Sequence, residues 1–112
     1  MSGDIRIKQG NNPVQTFIFP TGMDLTDYFI QLNVVWQASR KTYGVGTGLS
    51  LQVTGGGPSA VSTILWAHSL ADSRAFPVGR VAQYEIEFTE PSGIQRSGGG
   101  YLMVEAGVNL DV

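Results

Sequence analysis

The chain has 112 residues, the size of one domain, with 42% apolar residues, only 14% charged residues and 15 glycines, a palette that suits a small all-β protein. Seven basic against nine acidic residues give a net charge of −2, which argues against nucleic-acid binding driven by counter-ion release. With no Cys and one His, disulfide frameworks, thiol chemistry and Cys-based zinc sites are excluded, and no apolar run reaches the roughly 18 residues that cross a bilayer.

In chain order, Asp4 to Lys8 alternates, with Ile5 and Ile7 inward and Asp4, Arg6 and Lys8 outward. Gln9 to Pro13 supplies turn chemistry, Val14 to Phe19 is extended, and Pro13 suits the first residue of an edge strand. Pro20 to Asp24 is a second turn. The cleanest strand is Tyr28 to Gln37: Tyr28, Ile30, Leu32, Val34 and Trp36 share one face, opposite Gln31, Asn33 and Gln37. Ala38 to Gly48 reads as an exposed hairpin or loop, and Leu49, Leu51 and Val53 alternate in a short strand that stops at Gly55-Gly56-Gly57-Pro58. Val61 to Ala67 is apolar on both faces and reads as a covered central strand, with the direction of Trp66 left open. Ser69 to Phe76 supports one helical turn, capped by Ser69 with Asp72 three residues later, before Pro77 and Gly79 end it. Ala82, Tyr84, Ile86 and Phe88 form another inward face. The turn Glu90-Pro91-Ser92-Gly93 then leads to a return strand in which Leu102, Val104 and Ala106 face inward and Gly98-Gly99-Gly100 marks a bulge or a close backbone approach.

Seven or eight short runs at this spacing predict one domain over residues 1–112, an all-β, two-sheet antiparallel Ig-like β-sandwich. A partly closed barrel uses the same alternation, and the sequence does not separate the two.

Few residues suit reaction chemistry. His68 lies near Ser69, Asp72 and Ser73, but no nucleophile elbow accompanies this set, and His68 reads as a strand-end histidine. Glu85 and Glu87 project from one face about 7 Å apart, a spacing open to a cation or a glycosidase pair but more simply a solvated face. Asp4, Asp24 and Asp27 lack the regular spacing of a calcium loop, and Gly44-Val45-Gly46-Thr47-Gly48 lacks the Gly-Lys-Ser/Thr continuation of a phosphate loop. No enzyme activity, metal or cofactor is expected. Phe29 and Val35 fall on the polar face of their strand, and together with Arg40, Lys41 and Tyr43 they are the candidate protein-interface residues.

The order of Asp4-Ile5-Arg6-Ile7-Lys8-Gln9-Gly10, Thr16-Phe17, Asp24-Leu25-Thr26-Asp27-Tyr28, Tyr84-Glu85-Ile86-Glu87, Pro91-Ser92-Gly93 and Gly100-Tyr101-Leu102-Met103-Val104 spans almost the whole chain. It resembles the small β-sandwich virion modules of tailed bacteriophages, similar to the N-terminal attachment domain of baseplate upper proteins and tail-fibre anchors. Two features depart from that pattern: Asp27 stands where a Gly would suit the turn, and the stalk or receptor-binding region expected after such an anchor is not within the residues up to Val112. The resemblance implies a non-enzymatic structural protein made in the host cytoplasm and placed in the virion, in the tail, baseplate, fibre adaptor or capsid decoration. Its partners would be other virion proteins and copies of itself, with no nucleic acid and no membrane. The competing readings are a carbohydrate-binding module that presents Trp36, Tyr43, Trp66 or Tyr101, and, last, a small hydrolase built on Glu85 and Glu87.

Overall fold

The computed structural model describes residues 3–10 and 14–106; Asn11, Asn12 and Pro13 of the first predicted turn lie outside the described residues. The strands are β1 (Ile5–Lys8), β2 (Val14–Ile18), β3 (Phe29–Trp36), β4 (Ser39–Val45), β5 (Gly48–Thr54), β6 (Val61–Ala67), β7 (Gly79–Thr89) and β8 (Gln95–Glu105). One short helix, α1 (Leu70–Ala75), sits between β6 and β7. Its start is the predicted one: the Ser69 side chain accepts a hydrogen bond from the Asp72 N–H at 3.1 Å.

The protein is all-β, and its strands form one sheet in the order β1-β8-β7-β3-β4-β5-β6-β2. Two opposed sheets are expected from the sequence; here the two halves are joined by a narrow ladder in which Gly44 pairs with Gly48 and Val45 with Leu49. Glycine makes that junction. Gly46 and Gly48 have φ of +89° and +102°, and a Cβ on Gly48 would lie 2.6 Å from the Tyr43 ring. Main-chain bonding therefore continues round the Gly44–Gly48 turn instead of breaking there.

The sheet curls strongly. In a flat sheet β2 and β7, five strand spacings apart, would be separated by about 24 Å. Instead the Phe17 and Tyr84 rings are 6.0 Å apart, and Phe19 meets Phe88 edge to face at 5.1 Å. The curl encloses one core that includes Ile7, Phe17, Leu32, Val34, Ile64, Trp66, Ile86, Leu102 and Val104. Its driving force is the burial of these alternating side chains, each stabilising by about 1.5–3 kcal/mol relative to exposure. No ladder joins β1 to β2 among the described residues, so the wall stays open between its two end strands.

Residues 38–48, expected as a hairpin or loop, contain β4, which pairs antiparallel with β3 from Gln31↔Gly44 to Trp36↔Ser39. The reversal takes two residues, with Gln37 at φ +50°. The return strand behaves as expected at Leu102 and Val104, which are buried, whereas Ala106 is exposed. Gly98–Gly100 marks a close approach; the register shift between β7 and β8 lies elsewhere, between Arg80 and Gln83.

Candidate interaction surface

The single histidine is the natural place to look for chemistry, and its surroundings are those of a packed core. His68 is 2% exposed, with its ring 5.1 Å from Trp66 and 6.0 Å from Phe76. Its Nδ1 is 3.4 Å from the Ser69 carbonyl oxygen, and its Nε2 is buried with no hydrogen-bond partner. The neighbouring hydroxyls are engaged elsewhere. Ser69 caps α1, while Ser73 Oγ donates to the Leu70 carbonyl at 2.9 Å and accepts from the Gly10 N–H at 3.1 Å. Asp72 accepts from the Tyr43 hydroxyl at 2.8 Å and pairs with Lys41 at 3.7 Å. The Ser, His and Asp residues that are close in sequence are thus not brought into a relay.

Burial holds His68 below the usual imidazole range, against weaker opposing effects of the Ser69 carbonyl and the Asp72 charge. The unfolded chain therefore binds a proton there that the folded chain resists. Stability falls as pH drops below about 6.5, the ordinary imidazole value, and is recovered above it. Melting temperatures recorded from pH 7.5 to 5.5 should decline for the wild type, and the slope should flatten in His68→Phe. An unchanged slope in that variant would assign the titration to another group.

Outside the core, the strand pattern puts one set of side chains on the outer surface of β8, β7, β3 and β4. Gln83, Glu85 and Glu87 of β7 lie beside Val35, Asn33 and Gln31 of β3, which in turn pair with Arg40, Thr42 and Gly44 of β4. On the other side, Gln83, Glu85 and Glu87 pair with Tyr101, Gly99 and Ser97 of β8. Because Gly99 contributes no side chain, this face is concave, a cavity of about 610 Å³ that includes Arg40, Glu85, Glu87, Gln83 and Tyr101 in its lining.

Its polar groups largely satisfy one another. Gln95 Nε2 donates to Glu87 at 3.0 Å, Thr42 Oγ1 to Asn33 at 2.7 Å, and Gln83 Nε2 to the Tyr101 hydroxyl at 3.0 Å. Glu85 is pushed above the usual carboxyl range, first by a hydrogen bond shared with Glu87. At the rim, Arg80 bonds Asp4 at 3.1 Å and lies 4.0 Å from the centre of the Tyr101 ring. The Tyr101 N–H, followed by Arg80, holds the Asp4 carboxyl below its usual range. Among the described residues, no three His, Cys, Asp or Glu side chains converge as a metal-binding group.

The five predicted interface residues do not form one patch. Phe29 is 65% exposed, and Val35, Arg40 and Lys41 are also exposed. Phe29 and Val35 share a face but stand at opposite ends of β3, about 20 Å apart by strand rise, with Gln31 and Asn33 between them. Tyr43 corrects the expectation of a surface anchor, being only 4% exposed. It pairs with Leu32 on the inner face and packs edge to face on Trp66 at 5.3 Å. Burial, then Asp72, pushes its phenol above the usual range.

The aromatic platforms of a sugar reader fare similarly. Trp66 is fully buried, Tyr43 is inside, and half-buried Trp36 packs edge to face on Phe76 at 5.4 Å, which leaves Tyr101 under Arg80.

Strand β2, which the sequence pattern does not single out, also exposes apolar residues: Val14 is 54% and Ile18 66% exposed. Its signal was weak because both faces of Val14–Phe19 carry apolar residues, so alternation does not say which face is covered. Ile18 borders a second cavity of about 650 Å³, lined by Phe19, Pro20, Met23, Phe88, Arg96 and Ser97.

Neither any known protein family nor any curated protein matches this sequence.

Proposed function

We propose that this protein is a non-enzymatic structural part of a tailed-bacteriophage virion, an assembly or attachment module working in several copies beside other virion proteins. The observation that carries this reading is the uncharged, open edge of β2 with Val14 and Ile18 exposed on it. Natural sheet edges are commonly guarded by charges, prolines or bulges, as Arg6 and Lys8 guard β1. A strand that carries no charge or proline of its own along Val14–Ile18 suits an edge that is covered in an assembly. Exposed Phe29 and Val45 at the far end of the β3–β4 hairpin offer a second contact.

In this reading, β1-β8-β7-β3-β4 and β5-β6-β2 act as the opposed leaves of an Ig-like sandwich, hinged at the Gly44–Gly48 turn. The class of particle rests on the resemblance between the order of sequence elements in this chain and that of phage attachment modules. Oligosaccharide binding in the outer cavity has less support, since it would rest on Tyr101 alone, a ring that already carries Arg80.

The test is whether the protein travels with particles. Virions purified on a density gradient from cells carrying the gene should contain it in stoichiometric amounts by mass spectrometry, and Ile18→Lys should reduce its incorporation at least tenfold. Recovery only from the soluble fraction would overturn the reading.

A further inference from the structure

We infer that β2 is a self-complementary edge, through which two copies of this chain pair antiparallel about a twofold axis at Thr16. This names the partner for the open edge and rests on the assembly reading above. Phe19 N–H donates to the Ser62 carbonyl at 3.0 Å, and antiparallel hydrogen-bonded pairs recur every second residue. Gln15 and Phe17, opposite Trp66 and Ile64, therefore direct their main-chain groups at β6. Val14, Thr16 and Ile18 direct theirs away from it, toward the open side, where β2 has no neighbouring strand among the described residues.

The same three residues are the outward ones. The burial pattern of β2 exposes Val14, Thr16 and Ile18 and buries Phe17. Main-chain donors, acceptors and exposed side chains are thus arranged symmetrically about Thr16. When a second copy runs antiparallel with Thr16 opposite its counterpart, Val14 of each copy faces Ile18 of the other. All three N–H groups and all three carbonyls on each edge then find partners, giving a ladder of about six hydrogen bonds.

The two Val–Ile pairs become directly opposed neighbours on the outer face, an arrangement in which β-branched residues pack well. Charge does not oppose it, because Val14–Ile18 contains no ionisable side chain. Closure by a twofold axis uses up the edge in both copies and stops further addition. β1, the other end strand, presents Arg6 and Lys8 and does not offer this symmetry.

A contact of one strand pair lies at the small end of specific interfaces, so the dimer should be concentration-dependent. Sedimentation of the full chain should show a monomer–dimer equilibrium, and Thr16→Lys, which places two like charges at the axis, should raise its dissociation constant at least tenfold. Thr16 is exposed, so at dilutions where the wild type is monomeric, circular dichroism and melting temperature should be unchanged in the variant.

A positive readout comes from the cysteine-free background. Thr16→Cys should cross-link rapidly to a dimer with a short bismaleimide, because directly opposed Cα atoms of a hydrogen-bonded pair lie about 5.5 Å apart. Ser50→Cys, exposed on β5, should remain monomeric under the same treatment. A dimer that is insensitive to Thr16→Lys and cross-links no faster at Thr16→Cys than at Ser50→Cys overturns the β2 pairing while leaving the assembly reading intact. A strict monomer that still co-purifies with particles has the same consequence, whereas a strict monomer absent from particles overturns both.

Discussion

Trp66→Ala should destabilise the protein by about 3–5 kcal/mol and lower its melting temperature by roughly 12–20 °C. Trp66 is fully buried on β6, where its ring meets Tyr43 of β4 at 5.3 Å, His68 at 5.1 Å and Phe76, just after α1, at 6.4 Å. Tyr43 and Phe76 come from separate elements, each held by its own hydrogen bond: Tyr43 to Asp72, and the Phe76 carbonyl to Gln9 Nε2. They cannot both move into the space an alanine leaves, so the loss combines transfer free energy with a persistent cavity. Trp66→Phe should cost less than half as much. It retains an aromatic ring and removes only the buried indole Nε1–H, which interacts with the Tyr43 hydroxyl without forming a well-aligned hydrogen bond. Urea unfolding followed by circular dichroism measures both. A Trp66→Ala loss below about 1 kcal/mol would show that the two halves of the sheet are not held together through this ring.

That central role was only half visible in the sequence. Along Tyr28–Gln37, polar residues mark the outer face, and Ile30, Leu32 and Val34 are buried as their alternation requires. Along Val61–Ala67 both faces are apolar, so alternation gives Trp66 no direction; β6 lies between β5 and β2, with Ser62, Ile64 and Trp66 buried and Val61, Thr63 and Leu65 half-buried. Helix α1 was legible because its cap is a local interaction. Tyr43 was misplaced for the opposite reason. Arg40, Lys41 and three nearby glycines give its segment the composition of a loop, yet β3 supplies the main-chain partners that make it a strand. Asp72, 29 residues away, supplies the hydroxyl partner that lets Tyr43 turn inward.

Sheet order was the least accessible feature. The parallel pairing of β1 with β8 joins residues about 97 apart, and periodicity, which reports faces, carries no information on neighbours. The interface residues show the same limit. Phe29 and Val35 were identified as apolar residues on a polar face, but their separation along β3 and the exposure of β2 became visible only with the strands assembled.

Gly99→Ala is the second large effect expected, at about 2–3 kcal/mol, and it arises from backbone and not from lost contacts. Gly99 stands opposite Glu85 in the β7–β8 ladder, and a Cβ there would run into the Tyr84 carbonyl oxygen and approach the Glu85 Cα at 3.2 Å. Relief requires the two longest strands to separate, because the obstacle is main chain that no rotamer can move aside. Gly100→Ala should be milder, near 1 kcal/mol, although its Cβ would meet the Gly3 backbone. Gly3 belongs to the segment leading into β1, which can shift outward. The loss is then its N–H bond to the Gly99 carbonyl at 3.2 Å and the acceptor it offers to the Tyr84 hydroxyl. Gly56→Ala serves as the control: with φ at −154° and no atom within 4 Å of an added Cβ, it should be neutral or slightly stabilising. Amide exchange should locate the Gly99→Ala loss in the middle of β7 and β8, and the Gly100→Ala loss in the N-terminal segment. Equal stability of Gly99→Ala and Gly56→Ala would mean that the strands do not approach this closely. The concave outer face, whose floor is the missing side chain of Gly99, would then need another explanation.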